Sequence, residues 1–351
     1  MSELSGRTKI DVSVVIPVYN AFDFTRRCLE SLYDSFGGRI RIEVIVVDNA
    51  SFDETRSLEN ASFANLRYIR LPENRGFAAA CNMGAEAAKG DCLFFLNNDT
   101  FVFPGSVEAL YKCFGTDRSI GIAGSRLLFP DYSIQHAGLA CNEELRFEHI
   151  FSGYPSEHPF VLEKRGLLAV TGASLMIRRS DFEEIGRFDE AYKNAYEDID
   201  LCLRMRESGR EVLYVPESVL IHYEGSSEGR KLKERAARKI FLERWRGKIS
   251  PDLSDRTIGL ARRLEMRLFA EIEASGGFRR YYKKDLSAKV SGGFENAVRR
   301  YLLVREARRA LESTDELGRI RGSAAYRLAD IIAFFPKKLK GISGRGDRIT
   351  P

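Results

Sequence analysis

Three apolar segments, VSVVIPV (12–18), EVIVVDN (43–49) and CLFFL (92–96), constrain the fold most, because their Val, Ile, Leu and Phe residues run on with little polar alternation. A strand wetted on one face alternates apolar with polar residues, whereas a continuous apolar run is covered on both faces, as in a parallel sheet flanked by helices. The sequence between these runs supplies such helices. Phe24, Cys28 and Leu32 share one helical stripe between the first two strands, which makes a βαβ unit. Ser51-Phe52-Asp53-Glu54 has the S-x-x-E pattern of a capping box. A strand is predicted near LRYIRL (66–71), and GFAAACNMGAEAAK reads as a helix closed by Gly90. The predicted class is α/β, with a mainly parallel sheet of the doubly wound kind.

In such sheets ligands bind beyond the carboxyl ends of the strands. Polar residues gather there in this sequence. Pro17, Tyr19 and Asn20 end the first strand, Asp48 and Asn49 the second, and Asn97, Asn98 and Asp99 the third. These ends predict one polar crevice. No GxGxxG follows the first strand and no GxxxxGK[ST] occurs, which excludes the usual dinucleotide cradle and the P-loop. A divalent cation is the simplest remaining way to hold phosphate.

Charge divides the chain into two parts. Residues 1–225 carry 24 Lys+Arg against 34 Asp+Glu, and residues 226–351 carry 31 against 16, within an overall net charge of +5. The basic rear is available to an anionic surface. It contains helical patterns in KLKERAARKIFLERW, LARRLEMRLFAEIEA and FENAVRRYLLVREARRALE, broken by Gly pairs at 276–277 and 292–293. Near its end Leu328, Ile331, Ile332 and Phe335 form a stripe followed by Lys337, Lys338 and Lys340. This amphipathic helix either lies on an anionic membrane or packs on the protein or a second copy of the chain, as in a homodimer. Nucleic-acid binding is not predicted, because the basic part lacks aromatics interleaved on a recognisable platform. The six cysteines show no CxxC or zinc-type spacing and read as reduced packing residues. With no basic-then-apolar leader and no run of about 18 apolar residues, the expected location is cytoplasmic, with peripheral contact to the inner membrane if the basic helices bind lipid.

VSVVIPVYN, EVIVVDNAS, NRGFAAACNMG, FFLNNDT, IQHAG, VTGASLMIRR, GRFDEAY, YEDIDLCLR and HYEGSS follow one another in this order. Together they resemble glycosyltransferase family 2, the inverting nucleotide-sugar enzymes with a GT-A fold. The resemblance spans about residues 11–228 and points to the bacterial branch that builds cell-surface polysaccharides such as O-antigen, rhamnosyltransferase-like members included. It implies a catalytic domain over 1–228 and a basic helical region over 229–351.

The resemblance also implies roles for single residues. Asp48 would contact the base or ribose of the donor, since an ionised carboxylate only accepts hydrogen bonds; alternatively it caps the next turn. Pro17, Tyr19, Asn20, Asn97 and Asn98 would line the donor pocket. Asn74, Gly76 and Asn82 resemble the family's donor-side segment, although a Gly opening an Ala-rich helix is also plain packing chemistry. The family's D-x-D metal motif is replaced by Asn97-Asn98-Asp99, which leaves Asp99 as its one charged ligand. A second ligand is implied at His222, which opens an H-x-x-G-x-S match; an isolated His would otherwise be a hydrogen-bonded structural residue, as His136 is read to be. Oxygen ligands suit Mg²⁺ or Mn²⁺, and an imidazole tilts the choice to Mn²⁺.

The implied base is Asp198, which matches the family's E-D motif; its alternative is a helix N-cap. A place in the first helical turn would keep it ionised. Glu197 would position Asp198 or the acceptor. Asp200 stands four residues before Arg204 and reads as an ordinary helix ion pair. The implied activity is metal-dependent inverting transfer from a UDP-, dTDP- or GDP-sugar to a hydroxyl of a glycan, lipid-linked or protein acceptor. The alternative, prompted by the altered metal motif, is a catalytically inactive GT-A module that binds nucleotide sugar or glycan as a scaffold.

Overall fold

The computed structural model describes residues 9–252 except 116, 155, 158, 194 and 224–229. The stripe from Leu328 to Phe335 and its lysines lie outside the described residues. In chain order the elements are β1 (Val12–Val18), α1 (Phe22–Ser35), β2 (Ile42–Asp48), β3 (Leu66–Arg70), α2 (Phe77–Ala87), β4 (Cys92–Leu96), β5 (Thr100–Val102), α3 (Ser106–Lys112) and β6 (Ile120–Leu128). There follow β7 (Ile134–His136), β8 (Leu139–Cys141), β9 (Phe147–His149), β10 (Arg165–Leu167), β11 (Ser174–Arg178), α4 (Arg179–Glu184), α5 (Glu197–Glu207), β12 (Glu211–His222) and α6 (Arg230–Trp245).

The main sheet runs β10-β12-β6-β11-β4-β1-β2-β3, with β5 added on β12 and β7 on β6, while β8 and β9 form a separate ribbon. Parallel pairing joins β1 to β2 and β4, β2 to β3, and β6 to β12. β11 is antiparallel to both β4 and β6, so β1, β2, β3, β4, β6 and β12 all point one way. Their carboxyl ends therefore share one edge. Both faces of the sheet are dry, as the continuous apolar runs require. Val14, Ile16, Val44, Val46 and Phe94 pack with Cys28, Leu29 and Leu32 of α1 on one face. Val15, Ile45, Val47 and Phe95 pack with Ala78, Ala80, Cys81 and Ala85 of α2 and with Leu201 and Cys202 of α5 on the other.

Several local expectations are corrected. The capping box at Ser51 does not form: Glu54–Asn60 is a 3-10 helix capped by Asp53, whose carboxylate accepts from the Thr55 amide, while the Ser51 hydroxyl accepts from the Asn20 amide. Phe24 leaves the core stripe of α1 and lies at the surface against Tyr223, ring centroids 5.5 Å apart. α6 lies beyond the boundary expected at 228/229 and packs with the elements before it. Ala237, Phe241 and Trp245 of α6 are buried in the same core as α5. Asp200 is the anchor for that packing rather than half of a surface pair. It has no solvent exposure and accepts from Arg204 Nε (2.8 Å), Arg244 Nη1 (2.9 Å), Trp245 Nε1 (2.9 Å) and the Tyr192 hydroxyl (3.2 Å).

Candidate functional site

The shared edge of the sheet carries the site. β5 begins immediately after Asp99 and pairs antiparallel with the end of β12, Thr100 opposite His222. The Tyr223 amide donates to the Asp99 carbonyl at 2.9 Å. This pairing fixes two residues far apart in sequence side by side. Asp99 Oδ1 lies 3.2 Å from His222 Nε2, and both side chains are mostly shielded from solvent. Asn97 Nδ2 lies 3.3 Å from the same ring nitrogen. The opposite ring nitrogen, Nδ1, faces Gln135 Oε1 at 2.7 Å, and Gln135 Nε2 donates back to the His222 carbonyl at 3.2 Å. Gln135 was missed in the sequence; its signal was the polar residue inside a strand of the IQHAG segment. Gly225 and Ser227 of the H-x-x-G-x-S match lie outside the described residues.

Asp198 sits in the first turn of α5, after Tyr196, which enters the helix in the left-handed region at φ 69°. Its Oδ2 accepts from the Gly172 amide at 2.7 Å and its Oδ1 from the Ile199 amide at 2.8 Å. Burial raises the Asp198 carboxyl above its ordinary value, opposed by these amides and by Thr171. The expectation of a carboxylate held easily ionised by the helix end therefore needs amending, because desolvation outweighs the amides. No side chain fits easily at 172. A Cβ there would stand 3.1 Å from Asp198 Cβ and 3.5 Å from Phe77 Cε1.

The turn at 171–173 ties Asp198 to the other cluster. The Asn97 amide donates to the Ala173 carbonyl at 3.0 Å, and the Thr171 amide donates to His136 Nε2 at 3.4 Å. His136 is fully buried, lies 2.9 Å from His149 Nδ1, and has its ring held far below the usual imidazole value by burial and by His149. It is a structural residue, as read from the sequence. Glu197 is buried beside Asp198 at the start of α5.

At the β1 and β2 ends, Asn20 and Ala21 both take left-handed backbone conformations, φ 59° and 61°. Such residues cost about 1–3 kcal/mol each and persist where surrounding bonds hold them. Here Asn20 N–H donates to Ser51 Oγ, Phe52 N–H to Asn20 Oδ1, and Phe22 N–H to Asp53 Oδ2. Asn98 Nδ2 donates to Thr25 Oγ1 at 2.9 Å and contacts the Asn20 carbonyl at 3.4 Å. Pro17 lies near the end of β1, and Tyr19 (48% exposed) meets Phe52 (82% exposed) edge-on at 6.1 Å.

Asp48 has no solvent exposure. It accepts from Ser51 N–H at 2.8 Å, the turn cap foreseen as its alternative, and from Tyr68 and Arg70. Burial resists its ionisation, but Ser51, Tyr68 and the Arg70 charge prevail and hold the carboxyl below the usual range. Asn74 and Gly76 are clamped to the end of β2, where Asn49 Nδ2 donates to Asn74 Oδ1 (3.0 Å) and to the Gly76 carbonyl (3.1 Å). Gly76, at φ 90°, starts α2 in a conformation open to glycine. Asn82 shares the carboxylate of Glu190 with Arg75, the residue between Asn74 and Gly76. It is buried and bonds Phe188 through both its amide and carbonyl, with Glu190 as a further partner.

Residues 13–186 match the family model described as Glycosyl transferase family 2. The chain carries a glycosyltransferase family 2 domain. Over 229 residues the chain is 31% identical to the O-antigen biosynthesis protein RfbC of Myxococcus xanthus, covering 62% of this chain and 17% of that protein. It is 26% identical over 239 residues to the N-acetylglucosaminyl-diphospho-decaprenol L-rhamnosyltransferase of Mycobacterium tuberculosis, covering 62% and 77%. The chain spans between 17% and 47% of the length of several curated relatives it matches, RfbC among them. In fold, the glycosyltransferase family 2 domain resembles GalNAc-T7, solved with UDP, GalNAc and Mn²⁺, with a TM-score of 0.56, 17% identity, and coverage of 77% of this chain and 58% of that one. The architecture is GT-A. No helix among the described residues is long and apolar enough to cross a membrane.

Proposed function

We propose that the domain catalyses metal-dependent, inverting transfer of a sugar from a nucleotide-diphosphate donor to an acceptor hydroxyl. The observation that carries this reading is the pairing of Asp99 Oδ1 with His222 Nε2 at 3.2 Å, tied through the 171–173 turn to the carboxylate of Asp198. Adjacent ligands of an octahedral ion with bonds of about 2.1 Å stand about 3 Å apart, so the pair suits one Mn²⁺ or Mg²⁺. Such an ion, when bound, neutralises the charge that develops on the diphosphate leaving group.

The chain's own residues do the rest. Asp198 takes the proton of the attacking hydroxyl, and its raised basicity strengthens it for that task while the Gly172 and Ile199 amides favour the ionised form. Glu197 positions the start of α5 beneath Asp198. Tyr19 and Phe52 offer exposed aromatic surface to the donor base, with Asn20, Asn97 and Asn98 as polar lining. Asp48 serves the nucleotide end by fixing Tyr68 and Arg70; a direct contact to the donor requires one of them to release an oxygen.

Likeness to RfbC and to the L-rhamnosyltransferase favours a role in cell-surface polysaccharide synthesis on a glycan or lipid-linked acceptor, with the domain at the membrane surface. A thermal-shift screen of UDP-, dTDP- and GDP-sugars with and without Mn²⁺ tests the reading. Stabilisation by one donor class, dependent on Mn²⁺ and followed by turnover with acceptor, is expected. Metal-independent binding without turnover would favour the inactive scaffold instead.

A further inference from the structure

Gln135 is 5% exposed, and both ends of its amide are engaged by one residue. A backbone carbonyl only accepts, so the end of Gln135 that meets the His222 carbonyl at 3.2 Å is the NH₂ group. The amide oxygen must then face His222 Nδ1, at 2.7 Å. That oxygen also only accepts, so Nδ1 carries the proton. A neutral imidazole has one N–H; the lone pair is therefore on Nε2, the nitrogen beside Asp99. Asp99 acts in the opposite sense. A carboxylate 3.2 Å from Nε2 draws the ring proton to that nitrogen, where it would occupy the electron pair a metal needs.

We propose that Gln135 is a positioning residue that sets the tautomer of His222, holding the proton on Nδ1 against the pull of Asp99 and leaving Nε2 free to ligate. The inference rests on the reading of His222 as a metal ligand only for its consequence; the tautomer itself is a property of the metal-free chain. It also gives the IQHAG segment a double use. On β7, where adjacent side chains point to opposite faces, Gln135 serves His222 and His136 accepts from the Thr171 amide in the turn that holds Asp198.

The test is ¹⁵N NMR of the full chain with labelled histidine and no metal, at about pH 8.5, some two units above the ordinary imidazole value. The chain has four histidines, so His222→Ala assigns the signal. Wild type is expected to show a pyrrole-type Nδ1 and a pyridine-type Nε2. Gln135→Leu, matched in bulk, should move the proton toward Nε2 and weaken Mn²⁺ binding by about 10- to 100-fold. Gln135→Glu, which keeps an acceptor for Nδ1, should retain the wild-type tautomer, and circular dichroism checks that both variants fold. A proton found on Nε2 in wild type, or a tautomer unmoved by Gln135→Leu, would overturn the proposal. The expected tautomer with no Mn²⁺ binding in wild type would uphold it and defeat the metal reading instead.

Discussion

Asp200→Asn separates a surface ion pair from a buried anchor. As an exposed i,i+4 partner of Arg204, Asp200 would contribute about 0.3–0.5 kcal/mol. The structure gives it no exposure and four donors: Arg204, Arg244, Trp245 and Tyr192. A hydrogen bond to a charged group contributes about 1.5–3 kcal/mol, and removing one partner of a buried pair costs about 3–5 kcal/mol because the remaining charge loses its counterion. Asparagine keeps one acceptor oxygen but turns an NH₂ toward a set of donors of which only the Tyr192 hydroxyl can accept. The expected loss is about 3–5 kcal/mol, or roughly 6–20 °C in Tm at about 2–4 °C per kcal/mol for a unit of this size. Thermal unfolding followed by fluorescence reads this directly, because the one tryptophan of the chain is Trp245, whose indole N–H donates to Asp200. A loss below about 1 kcal/mol, with Trp245 emission unchanged, would refute the reasoning.

Other outcomes follow from the same geometry. Asp48 titrates below the usual range, so its stabilisation is present above about pH 4 and is lost as pH falls through the folded value; the deficit of Asp48→Asn in urea unfolding should therefore narrow in acid. Asp198 is shifted upward, so ionising it costs stability as pH rises; in the same urea series Asp198→Asn should gain on wild type with increasing pH, and parallel curves would contradict the burial argument. Gly172→Ala places a methyl 3.1 Å from Asp198 Cβ and should cut kcat by about 10-fold or more with little change in Tm, whereas wild-type kcat would show that the turn does not position the carboxylate. Asp99→Asn and His222→Ala should each weaken Mn²⁺-dependent donor binding in calorimetric titration, and unchanged curves would remove them from the metal site.

The sequence made β1 and β4 legible to the residue, because burial on both faces leaves a run with few polar interruptions and a polar stop where the chain emerges. The direction of β11 was not legible: an apolar strand reads the same in a parallel or an antiparallel neighbourhood, and only the pairing with β4 and β6 decides. Local rules failed where a distant group competed. Ser51 would cap a helix in isolation, but its hydroxyl is taken by Asn20, 31 residues away. Asp200 was read from its i+4 neighbour, whereas Arg244 and Trp245 arrive from α6 and bury it. Asp99 and His222 could be named from motif resemblance, and the β5–β12 pairing explains why they meet. Gln135 could not be named, since its meaning lies in a contact across 87 positions. Asn82 was read as donor-side from the resemblance; its side-chain amide bonds Phe188 and Glu190, and Glu190 also pairs with Arg75 next to Asn74 and Gly76.

The central claim is that Asp198 removes the acceptor proton while Asp99 and His222 hold the donor through a metal. Asp198→Asn tests it most directly when donor binding with Mn²⁺, by calorimetry, and sugar transfer are measured on the same preparation. Transfer should fall by about 100-fold or more with donor affinity nearly intact, since a positioned base contributes about 10²–10⁴-fold. Turnover within a few-fold of wild type, or donor binding lost together with transfer, would contradict the account.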